Sequence, residues 1–128
     1  MKIEHLSGVD ICENVSEIEM VMKKQNPQGY NEFWISIETQ FPYIGVLTNN
    51  SLAYVHFFDK DRSPGLRALS DSNSDLDMTK ETVFYSNNCS DIMEIHNECV
   101  ITLDKAVEAV QEFFVTNKIP QCVRWDQL

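Results

Sequence analysis

The chain has 128 residues, with 20 acidic against 10 basic side chains and a formal net charge of −10. At 43% hydrophobic and 23% charged, with four Gly and four Pro, it reads as one globular domain over 1–128, and not as a disordered or collagen-like chain. The charge excludes a phosphate-neutralising nucleic-acid surface, disfavours anionic membranes and favours encounter with a basic macromolecule, although solubility alone also explains such acidity.

Met1 to His5 shows no basic segment followed by an apolar run. No apolar stretch approaches the roughly 20 residues that cross a bilayer. A cytoplasmic location is therefore expected. Cys12, Cys89, Cys99 and Cys122 are irregularly spaced without a CxxC pair, so reduced thiols are expected in that compartment.

In chain order, the first ten residues alternate weakly and predict a short strand. Ser16 and Glu19 then fit a capping box, with Val15 and Met20 as its hydrophobic staple. Ile18, Val21 and Met22 share one helical face, and the helix is expected to end by about Gln25, before Pro27 and Gly29. In the run 33–38, Phe33, Ile35 and Ile37 face one side while Trp34, Ser36 and Glu38 face the other. Residues 43–48 are nearly all apolar and predict a central strand covered on both faces. Asn49-Asn50 suits a two-residue hairpin turn into a strand over 51–58, and Leu66 to Ser70 suits a further short strand.

Residues 70–80 form a polar, acidic loop, and strand signals return at 82–85 and 93–101. The clearest helix starts at Thr102, a capping residue, with Asp104 in its first turn. Ala106, Val107, Val110, Phe113 and Phe114 make its apolar stripe, Asn117 can close it and Pro120 forbids its continuation. Cys122 to Trp125 predicts a last strand. The order implies an α+β fold: an antiparallel sheet meander with an N-terminal and a C-terminal helix packed on one face.

Catalytic and metal motifs are weak. His96 and Cys99, three apart on an expected strand, point to opposite faces and cannot share a metal. Asp71-Ser72-Asn73-Ser74-Asp75 imitates the start of a calcium loop, but its sixth position is Leu76 and its twelfth Thr82, where Gly and Glu are required. His5, His56 and His96 lie in no nucleophile or metalloprotease signature, and Gly8, Gly29, Gly45 and Gly65 form no phosphate loop. We therefore expect no enzyme, no cofactor and no metal.

Charge patterning says more. Asp10, Glu13, Glu17 and Glu19 gather around the first helix, and Asp71, Asp75, Asp77 and Glu81 gather in the long loop opposed only by Lys80. Either cluster is a solvated surface or a decoy that docks on a basic cleft. Trp34, Tyr54 and Trp125 are residue types enriched at interface hot spots, with a core role the plainer one for Trp125. The candidate partner-binding residues are Glu13, Glu17, Glu19, Trp34, Tyr54, Asp59, Asp61, Asp71, Asp75 and Asp77.

Residues 102–114, a helix ending in a Phe pair, are followed by Asn117-Lys118-Ile119-Pro120 and Val123-Arg124-Trp125. Together they resemble the Imm1 (Imm-one) family, immunity proteins of bacterial polymorphic toxin systems. Residues 42–58, Ser63-Pro64-Gly65 and Asn97-Glu98 resemble the same family, whose hairpin turn commonly holds a Gly where Asn49-Asn50-Ser51 stands here. The resemblance runs from about Phe33 to Leu128 and touches the N-terminal third only in its acidic helix. It implies an antitoxin of bacterial competition and contact-dependent inhibition. The implied partner is the C-terminal domain of a cognate toxin, a nuclease or deaminase with a basic cleft, blocked at its active site or substrate entrance. The chain itself would contact neither nucleic acid nor membrane, and would be a monomer or weak homodimer when free. A small-ligand-binding or enzymatic domain using the sheet face around Trp34, Tyr54 and His56 is the alternative, and a self-associating subunit a third.

Overall fold

The computed structural model describes residues 1–61 and 64–127. Strands β1 (Lys2–His5) and β2 (Gly8–Ile11) lead into helix α1 (Val15–Met22). Strands β3 (Tyr30–Ser36), β4 (Tyr43–Asn49), β5 (Leu52–Phe58) and β6 (Leu66–Leu69) follow. A hairpin of β7 (Glu81–Ser86) and β8 (Asp91–His96), a 3-10 turn at Asn97–Cys99 and β9 (Ile101–Thr102) precede helix α2 (Leu103–Thr116) and β10 (Arg124–Gln127). The main sheet runs β10-β6-β5-β4-β3-β1-β2 with β9 added to β5, and the pairings between its strands are antiparallel. The chain is thus α+β, with β4 at the centre as its apolar run predicts.

Alternation along the strands sorts side chains into two layers. Phe33 and Ile35 of β3, Ile44 and Val46 of β4, and Val55 and Phe57 of β5 lie in one core with Ile18 and Met22 of α1 and Val107, Val110 and Phe113 of α2. Both helices therefore cover the same face of the sheet. Phe57 and Phe113 meet edge to face with ring centroids 6.0 Å apart. Trp125 packs against the rim of this core, and its indole N–H donates to the Pro120 carbonyl at 2.7 Å.

Helix α2 has the caps its sequence predicts. Thr102 Oγ1 accepts from the Lys105 amide at 3.1 Å, and Asn117 ends the helix in the left-handed conformation, its N–H donating to the Phe113 carbonyl. Helix α1 differs. Its N-cap is Asn14 and not Ser16: Asn14 Oδ1 accepts from the Glu17 amide at 3.0 Å, and the Glu17 carboxylate reaches back to Asn14 Nδ2 and the Glu13 amide. Asn14 to Glu17 has the same three-residue spacing as Ser16 to Glu19, and capping at Asn14 adds two helical residues at the N-terminus. The helix ends at Met22, within the limit of about Gln25 that the sequence sets.

Three other expectations shift. The first ten residues form a hairpin of two strands. The β4–β5 turn is Asn50-Ser51, one residue later than expected, because Asn49 pairs with Leu52, and Asn50 takes the positive φ of +53°. The run 93–101 is interrupted at Asn97, whose buried amide has better partners than a strand ladder offers. Its Nδ2 donates to the Asp77 carbonyl at 2.8 Å, its Oδ1 accepts from Thr82 Oγ1 at 2.6 Å, and its backbone N–H donates to the Lys80 carbonyl. His96 and Cys99 consequently do not share a strand: His96 is exposed at the end of β8 and Cys99 is buried in the 3-10 turn. Ser63 and Leu128 of the family-like segments lie outside the described residues. All four cysteines are free.

Candidate partner-binding site

The face of the sheet opposite the helices is only partly covered. Hairpin β7–β8 lies over one side of it, burying Phe84 with Leu47, Tyr54, Cys99 and Val100. Its loop, Asn87-Asn88-Cys89, holds three consecutive residues at positive φ. Asn tolerates this conformation, which turns the loop tip back towards β3. There the Asn87 amide donates to Glu32 Oε2 at 3.2 Å. Asn49 Nδ2 adds a 2.8 Å bond to the Val83 carbonyl.

Between that hairpin and the sheet lies a groove of about 610 Å³, with Trp34, Tyr54, His56 and Met93 among its walls and Glu4, Glu32 and Asn87 among its polar groups. The sheet pleat explains the selection. Glu32 and Trp34 on β3 and Tyr54 and His56 on β5 fall on the same face, flanking Gly45 and Leu47 of β4. Trp34 is directly opposite Gly45, and a Cβ on Gly45 would come within 3.1 Å of the indole ring. Glycine there lets the indole lie across the central strand. Tyr43 supports it from one side with ring centroids 6.0 Å apart. Trp34 nevertheless remains 45% exposed, whereas Tyr54 is 5% exposed and Glu32 9%.

The Tyr54 hydroxyl hydrogen-bonds His56 Nε2, and the two rings meet edge-on at 4.3 Å. Burial, with the Arg67 guanidinium nearby as a second cause, pushes the His56 pKa down to about 4. The imidazole is therefore neutral at pH 7. Arg67 is held by Asp126 at 3.2 Å. Burial also pushes the Tyr54 hydroxyl upward.

The predicted site residues are thus divided by the fold. Trp34 and Tyr54 share the groove, joined by His56. Tyr54, 5% exposed, forms part of the groove's floor. Glu13, Glu17 and Glu19 lie on the helix layer, on the other side of the sheet. Glu17 is engaged in the α1 cap, and Glu19 pairs with Lys23 at 2.9 Å. Asp10, grouped with them in sequence, accepts from both Lys24 and His5, and these bonds hold its carboxyl below the usual range. Asp59 and Asp61 are exposed in the loop after β5.

Asp71 and Asp75 border a second depression together with Lys105 and Arg124. The loop is therefore not opposed by Lys80 alone, because the fold brings α2 and the C-terminal strand beside it. Asp77 accepts from the Thr79 amide and hydroxyl, which lower its pKa. Among the described residues, no three His, Cys, Asp or Glu side chains converge as metal ligands. No helix among the described residues is long and apolar enough to cross a membrane.

The groove's acidic members, Glu4 and Glu32, were not singled out from the sequence. Extending the β3 alternation two residues back from Trp34 places Glu32 on the same face. That signal was legible.

Residues 7–127 match the family described as Immunity protein Imm1. The chain belongs to the Imm1 immunity protein family. The match takes in α1 and most of the N-terminal hairpin, so it reaches well beyond the Phe33 boundary of the sequence resemblance. A curated protein of Burkholderia cenocepacia (strain H111), named double-stranded DNA deaminase immunity protein, is 25% identical over 120 residues, covering 94% of this chain and 93% of its own length. In this Imm1 protein the Asn97-Glu98 motif is structural at Asn97, which ties the long loop to β7. The Phe113-Phe114 pair is structural too, filling and flanking the helix-side core.

Proposed function

We propose that the protein neutralises a toxin by one-to-one binding, that it has no catalytic role, and that the toxin is a deaminase acting on double-stranded DNA. The observation that carries this reading is the Imm1 match over residues 7–127. The partner class follows the name of the Burkholderia relative, which aligns with 94% of this chain. The net charge of −10 supports it, since an enzyme that grips DNA phosphates presents a basic cleft to which an acidic protein is attracted. The inhibitor would cover the toxin's active site or substrate entrance. Four free thiols fit a reducing cytoplasm, where the toxin meets DNA.

Affinity capture of the tagged chain from its native cell tests the reading, with the toxin encoded beside it as the expected one-to-one partner. Toxin made in the same cell but not captured, and DNA deaminated at the same rate with or without the chain, would overturn it. Charge reversal of Asp71, Asp75 and Asp77, or separately of Glu13, Glu17 and Glu19, is expected to slow association about tenfold at low salt and to flatten its salt dependence. Unchanged rates would remove electrostatic steering by these clusters while leaving the complex in place. A second reading, a small-ligand or enzymatic site, has the groove in its favour, whose size falls within the usual range for ligand pockets. Turnover of a metabolite with no protection against the toxin would favour it.

A further inference from the structure

The groove has a chemistry more particular than its size. One wall is an indole that the Trp34–Gly45 pairing lays across the sheet, 45% exposed despite being a large aromatic in a sheet centre. Beside it on β3 is Glu32, a carboxylate only 9% exposed. The hydrogen bond its side chain makes among the described residues is from the Asn87 amide, a neutral donor. A carboxylate has room for about four donors. One buried to this degree gains from any cation that completes its shell. Glu4 stands at the margin, held by exposed Lys2 at 2.9 Å. Among the described residues no Lys or Arg lines the groove; His5 in its wall is bound to Asp10, His56 is bound to Tyr54, and Arg67, which lies near that pair, is held by Asp126.

We propose that this groove receives an arginine side chain of the partner protein, its guanidinium stacked on the Trp34 indole and hydrogen-bonded to the Glu32 carboxylate. Arginine suits the site better than lysine. Its planar, weakly hydrated cation stacks on an aromatic face and presents parallel N–H groups to a carboxylate. The proposal rests on the toxin-binding reading, since an enzyme that holds DNA carries exposed arginines. The groove would hold one of them away from phosphate.

The test uses the full chain, 15N-labelled, titrated with N-acetyl-arginine amide at constant ionic strength, with N-acetyl-citrulline amide as the uncharged isostere. The arginine probe is expected to shift the Trp34 indole N–H and the Gly45 and Asn87 amides saturably, with Kd on the order of 10 mM. Citrulline should bind about tenfold more weakly. Glu32→Gln keeps an oxygen for the Asn87 amide and should weaken arginine binding by a similar factor. Trp34→Leu, at a half-exposed position, should do likewise. Absence of saturable shifts at these three residues, equal binding of citrulline, or unaltered binding by Glu32→Gln would overturn the proposal.

With the toxin domain as ligand, both substitutions should speed dissociation about tenfold or more. Toxin that binds wild type and both variants alike overturns the groove proposal and leaves the immunity reading standing. Arginine capture by a chain that never associates with the toxin removes the immunity reading and leaves the pocket's chemistry standing.

Discussion

His56 gives the sharpest quantitative test of the groove. Its ring is partly buried, bonded to Tyr54 and edge-on to Phe58 with centroids 5.6 Å apart, and its pKa is pushed down to about 4. In the unfolded chain the ordinary His value is about 6.5. Between those values the unfolded state binds a proton that the folded state refuses. Stability is therefore fully present above about pH 6.5 and declines as pH falls towards 4. At pH 5 the linkage amounts to about 2 kcal/mol, a large part of a small domain's total. Asp10 and Asp77, whose pKa values are lowered, lose their contributions only at more acid pH and stay out of this window.

The assay is urea denaturation of wild type and His56→Gln at pH 7 and pH 5. The amide retains hydrogen-bonding capacity towards Tyr54 but cannot titrate. Wild type should lose about 2 kcal/mol more than the variant between the two pH values. Equal losses in the two proteins would refute the argument, because they would show that His56 takes its proton as readily folded as unfolded. The absolute stability of the variant does not enter, since each protein is its own reference.

Two further outcomes follow from the caps and clamps. Asn97→Ala should cost about 1–3 kcal/mol and loosen residues 71–80 in hydrogen exchange, because it removes a buried amide that holds the half-buried Thr82 hydroxyl and the Asp77 carbonyl. A loss below about 0.5 kcal/mol would contradict that clamp role. Asn14→Ala should cost about 1 kcal/mol in thermal or urea unfolding, while Ser16→Ala should be within about 0.5 kcal/mol of neutral. The reverse order would restore Ser16 as the cap.

Much of the fold was legible because it rests on local periodicity. The nearly all-apolar run 43–48 predicts a central strand, and β4 stands at the middle of the sheet. The stripe of α2, with Thr102 and Asn117 at its ends, specified a helix and its side of burial without reference to anything distant. The family signal lay in these same segments, since residues that set the core and caps leave the strongest pattern. What misled was competition between equivalent local signals. Asn14 and Ser16 both stand three residues before a Glu, and Asn49-Asn50-Ser51 offers two overlapping turns.

The site was less legible for a different reason. Sequence proximity gathered Asp10 with Glu13, Glu17 and Glu19, but Lys23, four residues after Glu19, pairs with it in a spacing legible from the sequence, and the fold brings Lys24 from just beyond α1 to Asp10. Asp71 and Asp75 gained Lys105 and Arg124 from segments 30 to 53 residues away. The sequence by itself determined the charge, the layers and the family. Tertiary structure decided that Lys24 meets Asp10 and that Lys105 and Arg124 stand beside Asp71 and Asp75, that Gly45 lies beneath Trp34, and that the β7–β8 loop closes over Glu32. Those outcomes depend on strand register and on contacts between distant segments, and no local pattern encodes either.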